Sequence, residues 1–342
     1  MRTIPSVLRP WNRWYPLAPN DAELLEVTAR DGLRLTVRRL AGDGPAVMLL
    51  HGLAANRYTF HFPERSLAQW LADTGYDVYV PELRGHGTSE RRGWDWGLDE
   101  YLQHDLPAIV ETILRVSGRD RIHWVGHSMG GILLFCYGIL FPEAPIASGL
   151  ALGSALDYRI GGNVYQPFAR LGPLVAWAKV FPYGTLIHLL APALGRAATG
   201  LVDRANVWPS NIEPELNRRF HANGFHSVPT SLLVSLGTTF EPRGLRLRDG
   251  SVHFIEQAQR FKVPVRLLAG SKDQQVSPDA VRATAELLGA GSELRVFGRE
   301  QGEIEEYGHC DLVLGRHAPW EVWPDIEAWL DKNDRSEQTE TA

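Results

Sequence analysis

The sequence predicts an α/β fold with a mostly parallel central sheet, helices on both faces and an inserted helical cap. Three observations predict it. Short apolar runs alternate with helix-patterned stretches through the first half of the chain, the signature of a parallel sheet covered on both faces. The rhythm stops near residue 157 and returns near 260. Between these points lie helix-like pieces, no β-rich run, and prolines 167, 173, 182, 192, 209, 214 and 229.

The elements follow in order. Residues 1–22 carry Trp11, Trp14 and Tyr15 among prolines and read as an irregular strap on the body. Residues 23–40 alternate apolar and polar around Asp31-Gly32, which reads as a β-hairpin. Val47–Leu50 is a buried strand ending in His51-Gly52, Ser66–Thr74 a helix, and Asp77–Val80 a second buried strand. Asp99–Val116 is helical, with Pro107 marking a kink or a restart. Arg121–Val125 and Ala147–Leu152 are further strands, with a helix over Ile132–Leu140 between them. After the insertion come strands at Val263–Ala269 and Glu293–Phe297, then an amphipathic helix from Pro319 to Leu330. The expected division is a body of residues 23–156 and 260–331, a cap of 157–259, and a disordered polar tail of 332–342.

Composition narrows the function classes. The 342 residues exceed one ordinary core and suit a large domain with an inserted subdomain. The net charge of −5 is spread along the chain, and no basic stripe points to nucleic acid. Eleven Trp supply large apolar rings, useful in a core and in an apolar pocket alike. Cys136 and Cys310 form no metal spacing and are expected to be free thiols. The longest apolar stretch, Leu171 to Leu194, is broken by Pro173, Lys179, Pro182 and Pro192, so no membrane span is expected. The N-terminus lacks the apolar core of a signal peptide, and a cytoplasmic location is the expectation.

The chemistry concentrates in Gly126-His127-Ser128-Met129-Gly130. This GxSxG pentapeptide follows the strand Ile122–Val125 and opens a helix, the strand–turn–helix setting in which a strained turn lifts a serine hydroxyl above a sheet. A serine needs a base, and in this fold the acid and then the histidine follow the serine in sequence. Asp273 lies just past the strand Val263–Ala269, and His309 lies in the loop after Glu293–Phe297. Both stand at carboxyl ends of strands, where open α/β sheets bind ligands. Ser128 is thus the candidate nucleophile, His309 the base, and Asp273 the group that orients it. Asp157, after the strand Ala147–Leu152, is a rival acid or a cap-hinge residue. The backbone N–H groups of Leu53 and Met129 are the candidate oxyanion donors, and the His51 side chain is expected to hold its loop by hydrogen bonding. The run Arg84-Gly85-His86-Gly87-Thr88-Ser89 lacks phosphate-loop spacing and reads as a structural loop. The remaining histidines, His86, His188, His221, His226 and His253, show no paired metal spacing, and no metal or cofactor is expected.

Longer stretches carry a family resemblance. Leu71-Ala72-Asp73-Thr74-Gly75-Tyr76-Asp77-Val78, Arg84-Gly85, and Leu98-Asp99-Glu100-Tyr101 running into Asp105-Leu106-Pro107-Ala108 resemble acid lipases of the gastric and lysosomal kind. So do Gly126–Gly130, Tyr307–Leu312 and Pro319-Trp320-Glu321-Val322-Trp323. The resemblance covers about 50–155 and 265–330 and does not reach clearly into the cap. Gly126–Gly131 with Arg84–Glu90 is also similar to monoacylglycerol lipases and bacterial hydrolases of the α/β-hydrolase fold. The C-terminal half is similar to polyester synthases, whose nucleophile is Cys where this chain has Ser128. The resemblance implies a Ser128–Asp273–His309 triad acting on a neutral lipid or other small-molecule ester, without cofactor. An acyltransferase using the same triad is the alternative. A non-catalytic scaffold is disfavoured because all three members are present. Trp177, Phe181, Tyr183 and Leu186–Leu190 are expected to be mostly cap core, with an acyl pocket or transient lipid-surface contact as the other roles open to them.

Overall fold

The computed structural model describes residues 14–18, 22–164, 166, 178–196 and 200–340. Its frame is an eight-stranded sheet. In chain order the strands are β1 (Glu23–Thr28), β2 (Arg34–Leu40), β3 (Ala46–Leu50), β4 (Asp77–Glu82), β5 (Ile122–His127), β6 (Ile146–Leu152), β7 (Val265–Gly270) and β8 (Ser292–Phe297). Side by side they run β1-β2-β4-β3-β5-β6-β7-β8. β2 pairs antiparallel with β1 and with β4, and the other neighbouring pairs are parallel. Every residue of β3, β4, β5 and β6 is buried, as expected of parallel strands covered on both faces.

The body helices are α1 (Leu67–Asp73), α2 (Leu106–Ser117), α3 (Met129–Leu140), α4 (Pro278–Leu288) and α5 (Trp323–Glu340). α1 starts where Ser66 caps the Gln69 amide. α3 is apolar all round and buried from Met129 to Ile139, so it lies inside the molecule. Pro107 marks a restart. Leu98–Glu100 is one helical turn, Tyr101–Asp105 is a π turn closed by the Leu106 amide on Tyr101 O, and α2 follows. The proline has no N–H and its ring crowds the carbonyl four residues back, which the wider π turn relieves. The sequence reading names no helix between β7 and β8. α4 lies there, opened by Ser277 capping the Ala280 amide, with Pro278 in its first turn.

The helix α5 runs on to Glu340, through a stretch with no Gly or Pro to stop it. One expectation is corrected. Leu186, Leu189 and Leu190 are not core. They are 48%, 51% and 42% exposed, while Ile187 and His188 between them are buried.

The described residues of 157–259 include short helices at Tyr183–Leu190, Gly200–Asn206, Pro214–Asn223 and Thr230–Gly237, with a two-residue ladder pairing Val180–Phe181 to Val228–Pro229. Pro167, Pro173 and Trp177 lie outside the described residues, as does Trp11 of the N-terminal strap. The described part of that strap touches the insertion: Asn223 Nδ2 donates to Tyr15 O at 3.0 Å and Arg219 Nη2 to Pro16 O at 3.1 Å.

At the carboxyl end of β4, Glu82 is wholly buried. It accepts Arg57 Nη1 at 2.9 Å, Thr88 N at 2.8 Å and Thr88 Oγ1 at 3.0 Å. The loop after β3 and the loop after β4 are therefore tied to one carboxylate. Burial disfavours its charge, but Arg57 and the Thr88 amide outweigh burial and hold its pKa below the ordinary carboxylate value. Because the folded-state value is depressed, the associated stability is present above the ordinary carboxylate range and is lost as pH falls through the lowered value. Replacing Glu82 with Ala leaves Arg57 buried without its partner and is expected to cost about 3–5 kcal/mol in urea denaturation at neutral pH. A wild-type unfolding midpoint would contradict this account.

Candidate active site

Ser128 sits between β5 and α3 with φ 54° and ψ −119°. Among the described residues, only Ser128 and Ala54 combine a side chain with positive φ. Such a conformation costs about 1–3 kcal/mol and persists only where its surroundings over-determine it. They do so here. Ser128 N donates to Leu152 O at 2.8 Å, while Ser128 O accepts Gly131 N at 3.0 Å, Ile132 N at 3.1 Å and Ser154 Oγ at 2.8 Å. The flanking glycines have no room for side chains. A Cβ on Gly126 would lie 2.3 Å from Gly130 C, and one on Gly130 would lie 2.1 Å from Leu50 O.

His309 and Asp273 meet. His309 Nδ1 donates to Asp273 Oδ2 at 2.8 Å, and both side chains are almost fully buried. The other oxygen, Asp273 Oδ1, accepts Gln275 N at 2.8 Å and Val276 N at 2.9 Å, which fixes the carboxylate plane. The end of β7 brings the two loops together, since Lys272 N donates to Tyr307 O at 2.8 Å. Ser128 shares their surroundings. A Cβ on Gly153, next after the Leu152 that holds Ser128 N, would lie 3.1 Å from both His309 Nδ1 and Asp273 Oδ2. Among the described residues no hydrogen bond links the Ser128 hydroxyl to His309.

The rival acid is engaged elsewhere. Asp157 Oδ1 accepts Arg159 Nε at 2.8 Å and Asp157 Oδ2 accepts Arg159 Nη2 at 2.6 Å. That arginine holds its pKa below the ordinary value. The structure thus joins Asp273, and not Asp157, to the histidine.

The candidate oxyanion donors lie on either side of the serine. Met129 opens α3, so its N–H has no partner within the helix. Leu53 precedes the strained Ala54, and the Leu53 amide donates to no protein acceptor among the described residues. His51 staples this loop as expected. Leu83 N donates to its Nε2 at 3.2 Å, which leaves Nδ1 to donate to Gly52 O at 2.8 Å. Burial lowers the His51 pKa, so the ring is held neutral. The loop Arg84–Ser89 is structural: Arg84 binds Asp105 and Asp31, and Thr88 binds Glu82. Among the described residues no cluster could hold a metal ion.

Several contributors escaped the sequence reading. His127 Nε2 donates to His309 O at 3.1 Å, with the two rings 4.6 Å apart. Burial, with the neighbouring His309, pushes its pKa down to about 3, so it acts as a neutral spacer. Ser154 holds the Ser128 carbonyl. From the insertion, His226 N donates to Ala54 O at 2.6 Å, and Asn56 Nδ2 donates to Asn223 O at 3.0 Å. These roles depend on three-dimensional partners. His127, the last residue of β5, and Ser154, two residues past the end of β6, stood where a search of strand ends would find them.

A family model described as alpha/beta hydrolase fold matches residues 45–315. Lipase lipl-1 of Caenorhabditis elegans is 32% identical over 154 residues, covering 39% of this chain and 36% of that protein. The chain thus aligns to little over a third of that relative's length. Lipase member N of Homo sapiens is 25% identical over 358 residues, covering 90% of this chain and 87% of its own. Among solved structures, a thermophilic esterase from Thermogutta terrifontis with malate bound has the same fold, with a TM-score of 0.62 and 19% identity over 91% of this chain and 99% of that one.

The tight approach of α3 to β3 generates a test that needs no substrate. Gly130→Ala forces a Cβ against the Leu50 carbonyl and is expected to destabilise the protein by at least about 1–3 kcal/mol. A thermal unfolding midpoint equal to wild type would show that the turn has slack.

Proposed function

The chain belongs to the alpha/beta hydrolase fold family, and on that premise we propose that it is a serine carboxylic ester hydrolase acting on small-molecule or lipid esters with apolar acyl groups. The observation that carries the proposal is the 2.8 Å bond from His309 Nδ1 to Asp273 Oδ2 beside a serine held at φ 54°. With Nδ1 protonated, Nε2 is left as a base. The relatives named lipases and the esterase of like fold support the same reaction class.

In the proposed cycle Ser128 Oγ attacks the ester carbonyl as His309 Nε2 takes its proton. The carbonyl oxygen becomes an oxyanion received by the N–H groups of Leu53 and Met129. Asp273 stays ionised and stabilises the imidazolium. His309 then protonates the departing alcohol, leaving an acyl group on Ser128. Water, deprotonated by His309, attacks the acyl carbon and releases the carboxylic acid. No metal or cofactor enters any step.

Residues 157–259 are proposed as the cap that selects the acyl group. The insertion leaves the carboxyl end of β6, at the edge that carries Ser128 and Asp273, and returns to the amino end of the parallel strand β7. Tyr183 is a candidate lining residue. Burial, and to a lesser degree the nearby Cys310 thiol, raises its pKa.

Three measurements test this reading. Ser128→Ala is expected to retain the fold, lose labelling by a fluorophosphonate probe, and lose kcat by several orders of magnitude on p-nitrophenyl esters. Near-wild-type turnover in that variant would exclude Ser128 as nucleophile. Asp273→Asn is expected to lose up to about 10⁴-fold in kcat through the wrong histidine tautomer, and Asp157→Asn far less; the reverse ranking would move the acid to Asp157. For the cap, Phe181→Ala and Tyr183→Ala are expected to shift preference across p-nitrophenyl esters of increasing chain length. Variants that only melt earlier, with preference unchanged, would make these residues packing alone.

A further inference from the structure

We propose that Asp311 is a positioning residue for His309, and that the 205–211 turn of the insertion is a fixed part of the scaffold holding that histidine. The inference rests on His309 acting as the general base, as proposed above.

Asp311 is completely buried. Its Oδ1 accepts Trp208 N at 3.0 Å and Gly308 N at 3.1 Å, and its Oδ2 accepts Gly308 N at 3.0 Å and Asn211 Nδ2 at 3.2 Å. Two of these donors belong to the insertion and one to the residue immediately before His309. The residue immediately after is held by the same turn, because Cys310 N donates to Asn206 O at 2.8 Å. His309 is therefore a single residue suspended between two amides whose partners are Asp311 and the insertion. Asn211, also fully buried, extends the lattice: its Nδ2 donates to Glu306 O at 3.3 Å and its Oδ1 accepts His317 N at 3.3 Å. The acid loop joins too, since Gln275 Nε2 donates to Ala205 O at 2.8 Å.

The chemistry of the site explains why a carboxylate stands there. Three N–H donors converge, and a carboxylate alone among side chains offers two oxygens with no donor of its own. An Asn would turn its NH₂ toward Asn211 or Gly308 and leave donor facing donor. The space is closed as well: a Cβ on Gly308 would lie 2.8 Å from Trp208 N and 2.9 Å from Asp311 Oδ1. Burial pushes the Asp311 carboxyl up to about 7 against the pull of the Gly308 and Trp208 amides, and no cation pairs with it among the described residues. A buried carboxylate without a counter-ion is a poor source of stability. Its value here is geometric, in keeping His309 at bonding distance from Asp273.

The test compares wild type, Asp311→Asn and Asn211→Ala as full-length chains. Active sites are titrated with a fluorophosphonate, and kcat per titrated site and KM are measured on a p-nitrophenyl ester. The His309 Nδ1 proton is followed by ¹H NMR, its signal identified by its absence from Asp273→Asn. Asp311→Asn is expected to lower kcat per titrated site by about 10²-fold, the scale of a 1 Å misplacement, with little change in KM and with the proton signal shifted or lost. Asn211→Ala is expected to move both readouts the same way by less. Unchanged kcat per titrated site with an unchanged proton signal overturns the proposal, even if the unfolding midpoint falls. Should Asp311→Asn not fold, Asn211→Ala decides on the same readouts. If wild type neither labels nor turns over, the hydrolase reading fails, and the proton signal alone decides whether Asp311 positions His309.

Discussion

A serine in a backbone conformation that serines avoid is the constraint around which the rest of the site is arranged. Ser128 can hold φ 54° only because its amide is bonded to Leu152 O and its carbonyl receives the Gly131 and Ile132 amides and the Ser154 hydroxyl. These partners come from β6, the loop after it and α3, so the turn is strained only while the sheet and helix stay in register. The approach of Gly130 to Leu50 O brings α3 against β3. The same approach sets the first amide of the helix beside the loop that carries Leu53. A local cost of about 1–3 kcal/mol is thereby supported by packing spread across the molecule.

Buried charge around this centre is handled in two ways. Glu82 has Arg57, and Asp105 has Arg84, so each carboxylate has a cation and hydrogen bonds besides. His51, His86 and His127 are held neutral by burial, so these rings add no positive charge beside Ser128 and His309. Among the described residues Asp273 is the one carboxylate bonded to a histidine at the site, and its second oxygen is held by the Gln275 and Val276 amides. The acid is thus oriented by backbone, which cannot rotate away.

What was legible in the sequence is what depends on local pattern. The buried run at Val47–Leu50 could be read because a fully buried parallel strand is apolar throughout. The pentapeptide at Gly126–Gly130 could be read because strand, turn and helix occur in one short window. Asp273 and His309 followed from counting strand ends. What was not legible depends on partners distant in sequence. Nothing local marks Ala54 for positive φ, since alanine is not a residue chosen for that conformation. Asp311 looks like any polar loop residue until Trp208 and Asn211 are brought to it. α4 is a different case: Ser277-Pro278-Asp279 is a helix start legible in the sequence itself.

The distribution of hydrogen bonds between insertion and body bears on how such a protein can be re-engineered by exchange of modules. Sequence and strand boundaries invite a graft that replaces everything from 157 to 259 with the corresponding stretch of another protein. Such a graft would remove Asn206, Trp208, Asn211 and His226, whose bonds reach the loops of His309 and Leu53. The joints that respect the hydrogen-bond map are internal: a helix such as Tyr183–Leu190 can be exchanged, while 205–211, 223–226 and the helix Thr230–Gly237, whose Ser231 and Ser235 bond Trp96 and Leu98 of the body, stay with the host. Variation in specificity is then free to accumulate on one part of the insertion while the other is held constant with the body, although chain continuity alone would assign both to the same unit.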